Sequence, residues 1–310
     1  MLKEDILFVL ESNREVPISG QELADRFHVS RNAVWKVINS LKQEGYPIRS
    51  QRNKGYSLGT VDILSKEGIL AELHGACPEL EIRVLQETDS TNNEAKRMLA
   101  SGFSGNALVA AETQSMGRGR KGKSFYSPAG TGIYLSLILQ GDEITNQVSM
   151  LTIVAACAVV RALQKHTEDP IRLKWVNDLF VGNKKAGGIL SEATFDLESG
   201  KTEAVVIGIG INLFAAAFPD ELAQRAVSVH TDASRNALIA EITRELLAAD
   251  WSRPERELPF YREHSMVPGR EIQYMGETVT ALEIDETGGL LIRHRNGGTE
   301  VIHGGNITLL

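Results

Sequence analysis

Apolar positions recur at helical spacing through the first forty-odd residues. Leu2, Ile6, Val9 and Leu10 fall on one side of a helix over MLKEDILFVLES. Ser19 sits where it can cap the next helix, GQELADRF, and Glu22 three residues on predicts a capping box. Ser30 predicts the cap of a third helix, RNAVWKVINSLKQEG, with Ala33, Val34, Val37, Ile38 and Leu41 on its apolar face and Gly45 as its stop. Trp35 in that helix reads as a packing anchor rather than a base contact. YPIRSQRNKGYSL then reads as two short strands around an Arg-Asn-Lys-Gly tip. Helix, helix, short turn, helix and basic hairpin together outline a winged helix-turn-helix.

The period changes after a connection at 61–80 that carries one helix, SKEGILAELHG. IRVLQET (82–88) is a predicted strand, followed by a helix from Thr91 to Ser101 with Thr91 and Glu94 as a second capping box. ALVAAET and TGIYLSLIL are strands. Residues 146–166 form a long helix with a nearly apolar middle, which should cover one face of a sheet. IRLKW, GGILSEATF and EAVVIGIGINL are further strands, and 233–249 is helical. The pattern predicts an α/β (α+β) domain on a mixed sheet of at least five strands. From about residue 265, GREIQYMG, ETVTALEIDETG, GLLIRHRNG and GTEVIHGGNITLL are short strands parted by turns, the texture of a small β-barrel. The predicted domains are 1–62, 63–264 and 265–310.

Composition narrows the partners. The 310 residues carry a net charge of −7, which excludes a surface that is basic throughout. The charge is uneven, however. From Arg31 to Leu58 there are six cations (Arg31, Lys36, Lys42, Arg49, Arg52, Lys54) against one acid, Glu44. A cationic recognition helix continued into a hairpin suits phosphate contact. Arg31, Asn32 and Lys36 are candidates to meet base edges, and Arg52 and Lys54 to act at the wing. The alternative is a protein-interaction domain with a basic surface. Cys77 and Cys157 lack metal-ligand spacing and are expected as buried free thiols of a reducing cytosol. No run of 18 apolar residues predicts a membrane span. The start, MLKEDILFVL, has acids at positions 4 and 5 and does not read as a secretory peptide, so the expected location is cytoplasmic.

The densest chemistry is QSMGRGRKGKSF, from Gln114 to Phe125. Gly117 to Ser124 matches the phosphate-loop pattern G-x-x-x-x-G-K-S and holds three glycines and four cations. A phosphate loop needs a helix after it. Here FYSPAGTGIYLSLIL follows, broken by Pro128 and Gly130 and then alternating as a strand, so the ATPase reading fails. The glycines still allow close backbone approach to a ligand, and four clustered cations call for an anion or for water. A solvated basic hairpin and a loop ordered over a nucleotide phosphate both remain open at this point.

Three further stretches join this loop: DSTNNEA (89–95), KWVNDLFVGNKKAGGILSE (174–192) and IGIGINL (207–213). With GRGRxGxxxxSPxG they resemble the biotin–protein ligase family. With the basic front domain the whole chain resembles that family's bifunctional members, the biotin operon repressors. The resemblance implies a ligase domain preceded by a winged helix-turn-helix and followed by an SH3-like barrel. It implies the activity of a biotin–[acetyl-CoA-carboxylase] ligase. ATP with Mg2+ would convert biotin to biotinyl-5'-AMP, and a lysine of a carrier protein would then take the biotin. It also implies operator binding by an adenylate-loaded homodimer.

Residue by residue, the resemblance places Ser90, Thr91, Asn92 and Gln114 around the biotin ureido ring, with the backbone of Gly117 and Arg118. Such a ring offers two N–H donors and one carbonyl acceptor. Gly208 and Gly210 would lie beside the bicycle. Lys185 would meet the carboxylate and α-phosphate, with Arg118 and Arg120 as the other catalytic cations. Arg118, Arg120, Lys121, Lys123, Phe125, Asn177, Lys185 and Asn212 would bind the adenylate, and Asp178 would be associated with Mg2+. The alternatives are Thr91 as a helix cap only, Asp178 as a turn residue only, and Gly208 and Gly210 in sheet packing only. The chain departs from the family pattern at Lys121, Lys123 and Phe125, where arginines and tryptophan are usual, and at Val176, where proline is usual. Lysine lacks arginine's bidentate fork, and phenylalanine lacks the indole N–H. The rival readings are a ligand-sensing regulator without catalysis, a lipoate or octanoate transferase, and a structural DNA-binding dimer.

Overall fold

The computed structural model describes all residues except 142–143, 145–146, 196–201 and 215–217. By contact density the chain divides into two units. One is Met1–Pro78 with Ala233–Glu241, and the other is Glu79–Asp232 with Ile242–Leu310.

In the first unit, helices α1 (Leu2–Ser12), α2 (Gly20–Arg26) and α3 (Arg31–Gln43) precede a hairpin of β1 (Ile48–Gln51) and β2 (Gly55–Leu58). Ile6, Leu10, Leu23, Val34, Ile38 and Leu41 close one core with Ile48 and Leu58 of the hairpin. Each such side chain, fully buried, contributes about 1.5–3 kcal/mol. Ser19 caps α2 by accepting from Glu22 N at 3.0 Å, and Ser30 caps α3 by accepting from Ala33 N at 3.2 Å. Only half of the predicted box at α2 forms, because no return bond from the Glu22 side chain is present among the described residues. Ile18 exchanges both backbone bonds with Tyr56, at 2.9 and 2.8 Å. That approach requires Gly55, where φ is +116° and a Cβ would stand 2.0 Å from the Ile18 carbonyl oxygen. Trp35 corrects the sequence reading: it is 54% exposed and anchors no core. It lies one position past the buried Val34, so the helix turns it away from the apolar face. Helix α4 (Lys66–Leu73) follows, capped by Ser65.

The second unit holds a seven-stranded mixed sheet in the order β3-β4-β5-β9-β8-β7-β6. Its strands are β3 (Glu81–Thr88), β4 (Ala107–Gln114), β5 (Gly132–Gln140), β6 (Ile171–Lys174), β7 (Asp178–Val181), β8 (Lys184–Phe195) and β9 (Thr202–Asn212). β3 and β4 run parallel across helix α5 (Thr91–Ala100); the other neighbours are antiparallel. The sequence reading missed β7 and started β8 late, because DLFVGNKK holds a short strand and a tight turn in place of a long alternation. Helix α6 (Val148–Gln164) is buried at every residue from Met150 to Val160. It packs on β8 and β6, and also on α9 (Leu258–His264) and the short 3-10 turn before it. That second cover explains why its apolar surface has no polar side. Short α7 (Asp220–Ala223) and α8 (Arg235–Ala248) precede α9, and the residues of α8 up to Glu241 belong to the first unit.

The chain ends in a five-stranded antiparallel sheet, β10 (Glu271–Tyr274), β11 (Glu277–Ile284), β12 (Leu290–Arg293), β13 (Thr299–Ile302) and β14 (Ile307–Leu309), in the order β13-β12-β11-β10-β14. Cys157 is buried as expected, whereas Cys77 is only half-buried. Burial pushes the Cys157 thiol well above its ordinary range. Among the described residues no helix is long and apolar enough to cross a membrane.

Candidate active site and nucleic-acid interface

A cleft of about 990 Å³, counted to its open mouth, lies on the second unit. Its floor is the middle of the sheet. Gly208 and Gly210 on β9 lie on one face, and their missing side chains are filled from above. A Cβ at Gly208 would stand 2.0 Å from Asn92 Oδ1, and one at Gly210 would stand 2.6 Å from the Phe125 ring. The two glycines therefore admit one side chain from α5 and one from the glycine-rich loop.

That loop arches back on itself rather than entering a helix. Phe125 N donates to Gly117 O at 2.8 Å and Gly119 N to Lys123 O at 2.7 Å. Lys121 and Gly122 form its tip with positive φ. The ATPase reading is excluded by this geometry, since the next regular element is strand β5. The loop cations are held by amide oxygens. Arg118 donates to Asn93 Oδ1 at 2.8 Å, Arg120 to Asn177 Oδ1 at 3.2 Å, and Lys123 to Asn306 Oδ1 at 3.2 Å. Neutral acceptors fix the loop without cancelling its charge.

One end of the cleft is uncharged and internally hydrogen-bonded. Ser90, Thr91 and Asn92 are buried at the start of α5. The predicted capping role of Thr91 is corrected: Ser90 is the N-cap residue, and Thr91 Oγ1 reaches across to Gln114 Oε1 at 3.2 Å. Gln114 Oε1 also accepts from Thr91 N at 2.9 Å, and its amide donates to Ser127 Oγ at 2.9 Å. Asp89, just before the helix, accepts from Arg97 and Asn93, which hold its carboxyl well below the usual carboxylate range. Asn93 thus ties Asp89 to Arg118.

The other end is cationic. Lys185 pairs with Asp178 at 2.6 Å. The Lys185 backbone is bracketed by Arg225 O, at 2.8 Å, and Val227 N, at 3.0 Å. Val227 O also accepts from Asn212 Nδ2 at 3.2 Å, so the amide of Asn212 faces away and does not line the cleft. Gly117 lies outside the lining too, pressed on Phe125 O and Ser127. The remaining expected residues (Ser90, Thr91, Asn92, Gln114, Arg118, Arg120, Lys121, Lys123, Phe125, Asn177, Asp178, Lys185, Gly208, Gly210) come together around it. Among the described residues no group of three acids, histidines or cysteines stands ready for a metal.

Lys174 and Asn306 are among the lining residues that escaped the sequence reading. Lys174 is half-buried, and burial outweighs Asp178 to lower its ammonium pKa. It lies inside the quoted KWVND stretch, so a signal existed. Asn306 comes from the turn before β14, far along the chain, and carries no signal at all.

A separate open groove lies on the first unit between α3 and the hairpin. Arg31, Asn32, Arg52 and Lys54 line it with Trp35, while Lys36 is exposed on α3 outside the lining. Lys42 and Arg49 are engaged by Ser50, at 2.9 Å, and Glu15, at 3.1 Å. The groove combines cations, side-chain amides and one indole on a helix and a hairpin, the chemistry of a duplex contact.

Comparison with known proteins covers both regions. The biotin/lipoate A/B protein ligase family model matches residues 84–212, and an HTH domain model matches residues 3–57. The bifunctional ligase/repressor BirA of Bacillus subtilis (strain 168) is 31% identical over 332 residues, which span 99% of this chain and 98% of that protein. The BirA of Escherichia coli (strain K12) is 33% identical over 236 residues, 74% of this chain and 71% of that one. The solved structure of biotin protein ligase from Aquifex aeolicus in complex with biotin and ATP is 27% identical, with a TM-score of 0.62. It aligns with 74% of this chain and 98% of that chain.

Proposed function

The chain belongs to the bifunctional ligase/repressor members of the biotin protein ligase family, and on that premise we propose how its two regions divide the work. It is a biotin–protein ligase and a transcriptional repressor, with biotin and ATP as substrates. The single observation that carries the site reading is one cleft with two unlike ends: an engaged polar end at Thr91 and Gln114, and a cationic end at Lys185, Arg118 and Arg120.

In this reading the ureido ring lies at the polar end, beside the part of β9 at Gly208 and Gly210 that Asn92 and Phe125 cover, with Ser90 and Asn92 shaping the wall and Gly117 supporting the loop from behind. The carboxylate then points toward Lys185. Its attack on the α-phosphate of ATP brings two anions together, and Lys185, Arg118 and Arg120 lower that repulsion. Pyrophosphate leaves and biotinyl-5'-AMP remains. Asn177 and Phe125 hold the adenylate, with Lys121 and Lys123 on the covering loop and Asn212 supporting from behind. The closed loop keeps water from the mixed anhydride until a carrier-protein lysine attacks it. Mg2+ accompanying the triphosphate would be held by Asp178 and would screen the phosphate charge. A hard cation is commonly met by one carboxylate and substrate oxygens, and Asp178 is the carboxylate on the cleft lining.

Arg31, Asn32 and Lys36 meet operator DNA, with Arg52 and Lys54 at the wing. One such module makes few phosphate contacts, so operator binding uses a pair of chains. Adenylate that orders the 114–125 loop favours this homodimer, and by linkage operator DNA favours the loaded form. Incubating the protein with biotin, ATP and Mg2+ should leave biotinyl-AMP bound, detected by native mass spectrometry. Sedimentation and operator titration with and without the adenylate should both shift; no movement in either removes the corepressor reading and leaves the ligase.

A further inference from the structure

A chain of hydrogen bonds runs through the second unit from a surface ion pair to the backbone of the glycine-rich loop. At its outer end Lys96 Nζ meets Glu192 Oε1 at 2.5 Å. Glu192 Oε2 accepts from Asn92 Nδ2 at 2.8 Å, and the same amide nitrogen gives its second proton to Leu190 O at 3.3 Å. Ser136 Oγ, fully buried, lies 2.6 Å from Asn92 Oδ1 and 2.8 Å from Thr91 Oγ1. From Thr91 the chain continues to Gln114, then Ser127, whose hydroxyl donates to Phe125 O at 3.0 Å.

Proton counting gives this chain a direction. An ionised carboxylate only accepts, so the Asn92 NH2 must turn toward Glu192. Asn92 Oδ1 then faces Ser136 and takes its one hydroxyl proton at the shorter of the two contacts. Ser136 then has no proton left for Thr91, so the Thr91 proton is shared inward between Ser136 Oγ and Gln114 Oε1, and Thr91 Oγ1 presents its lone pairs to the cleft. The Gln114 oxygen is occupied twice, which leaves its NH2 with one proton beyond the Ser127 bond. Thr91 and Gln114 both line the cleft, so its polar end offers acceptors and one donor. That is the complement of a cyclic urea, with two N–H groups and one carbonyl. Burial pushes the Glu192 carboxyl up, but the Lys96 and Asn92 bonds outweigh it and hold the group below its usual range.

We propose that Glu192 is a positioning residue: it touches no substrate, but through Asn92 it sets the polarity of the hydrogen-bond chain and so matches the polar end of the cleft to the biotin ureido ring. The inference rests on the site reading above. With a neutral amide at 192, only the longer bond to Leu190 O still prefers the Asn92 nitrogen on that side, and the direction of the chain is weakly held. Lys96 completes the device by keeping the carboxylate ionised.

The test uses the full chain and follows biotin and ATP separately. Glu192→Gln should weaken biotin binding by about tenfold, the difference between a charge-assisted and a neutral hydrogen bond. The KM for biotin should rise, while the KM for ATP and kcat at saturating biotin stay within about twofold. A merely structural residue would move all three. Asn92→Asp should also weaken biotin binding, because it sets two carboxylates against each other. The double variant Asn92→Asp with Glu192→Gln exchanges donor and acceptor but keeps an acceptor facing Ser136, and it should bind biotin more tightly than either single variant. Biotin affinity within twofold of wild type in Glu192→Gln overturns the proposal, as does a double variant no tighter than Glu192→Gln. A wild-type protein that binds ATP but not biotin sinks the site reading itself, and this inference with it.

Discussion

The chain carries two cationic clusters of similar size, and they are built on opposite principles. In the 117–124 loop, Arg118, Arg120 and Lys123 are each tethered by an asparagine oxygen. On α3 and the hairpin, Arg31, Lys36, Arg52 and Lys54 are exposed, and no ion pair among the described residues holds them. The first arrangement places charge at fixed positions around a small anion, where preorganised donors stabilise developing charge most. The second leaves flexible cations free to meet a long polyanion and release its counterions. Neutral tethers suit the loop because a carboxylate partner would neutralise the charge that the substrate needs. Lys185 is the exception, paired with Asp178.

The comparison predicts a steep contrast between the two clusters. The largest effect is expected at Lys185. Lys185→Ala should slow pyrophosphate release at saturating biotin by roughly 10²–10³-fold, with operator binding by adenylate-loaded protein retained. A rate within twofold of wild type would remove Lys185 from the chemistry. The exposed cluster should respond in the reverse sense. Arg31→Ala and Lys36→Ala should each weaken operator binding by about tenfold, consistent with a lost contact of about 1–3 kcal/mol. A phosphate-contacting cation should also flatten the plot of log affinity against log salt by about one unit, while biotin transfer to an acceptor protein is untouched.

Arg120→Gly tests the tether to Asn177. Adenylate should still form, but it should escape, and released anhydride should label lysines of an unrelated bystander protein several-fold more than wild type does. Equal bystander labelling with an unchanged adenylate off-rate would show that the tethered arginine does not retain the product. Trp35 sharpens the comparison at its weakest point. Because the indole is exposed, Trp35→Ala should change stability by less than about 0.5 kcal/mol. The neighbouring Val34, which is fully buried, should cost more than that when cut to alanine. A drop in melting temperature for Trp35→Ala as large as that for Val34→Ala would restore the packing reading.

How much was legible depends on how local the cause is. Helices α1 to α3 were readable because spacing, caps and the Gly45 stop all lie within a few residues of one another. The glycine-rich loop was readable as a non-ATPase loop for the same reason: Pro128 and Gly130 follow it directly. Trp35 was misplaced because apolar type was given more weight than its position on the helix. The Thr91 box failed because a hydroxyl that could have capped its own helix found a partner on β4 instead. β7 was missed because a four-residue strand has little periodicity of its own and is specified by its neighbours β6 and β8.

By itself the sequence determined the element order, the two basic regions, the winged-helix outline and the family motifs, since each rests on local spacing or on a run of residue types. Only the tertiary structure decided that Asn212 turns away from the cleft, that Asn306 reaches into it, and that Glu192 speaks to Thr91 through Asn92 and Ser136. Those relations join residues up to 183 positions apart, as between Lys123 and Asn306. A hydrogen bond depends on distance and angle in space, and residue order along the chain specifies neither until the sheet has brought the partners together.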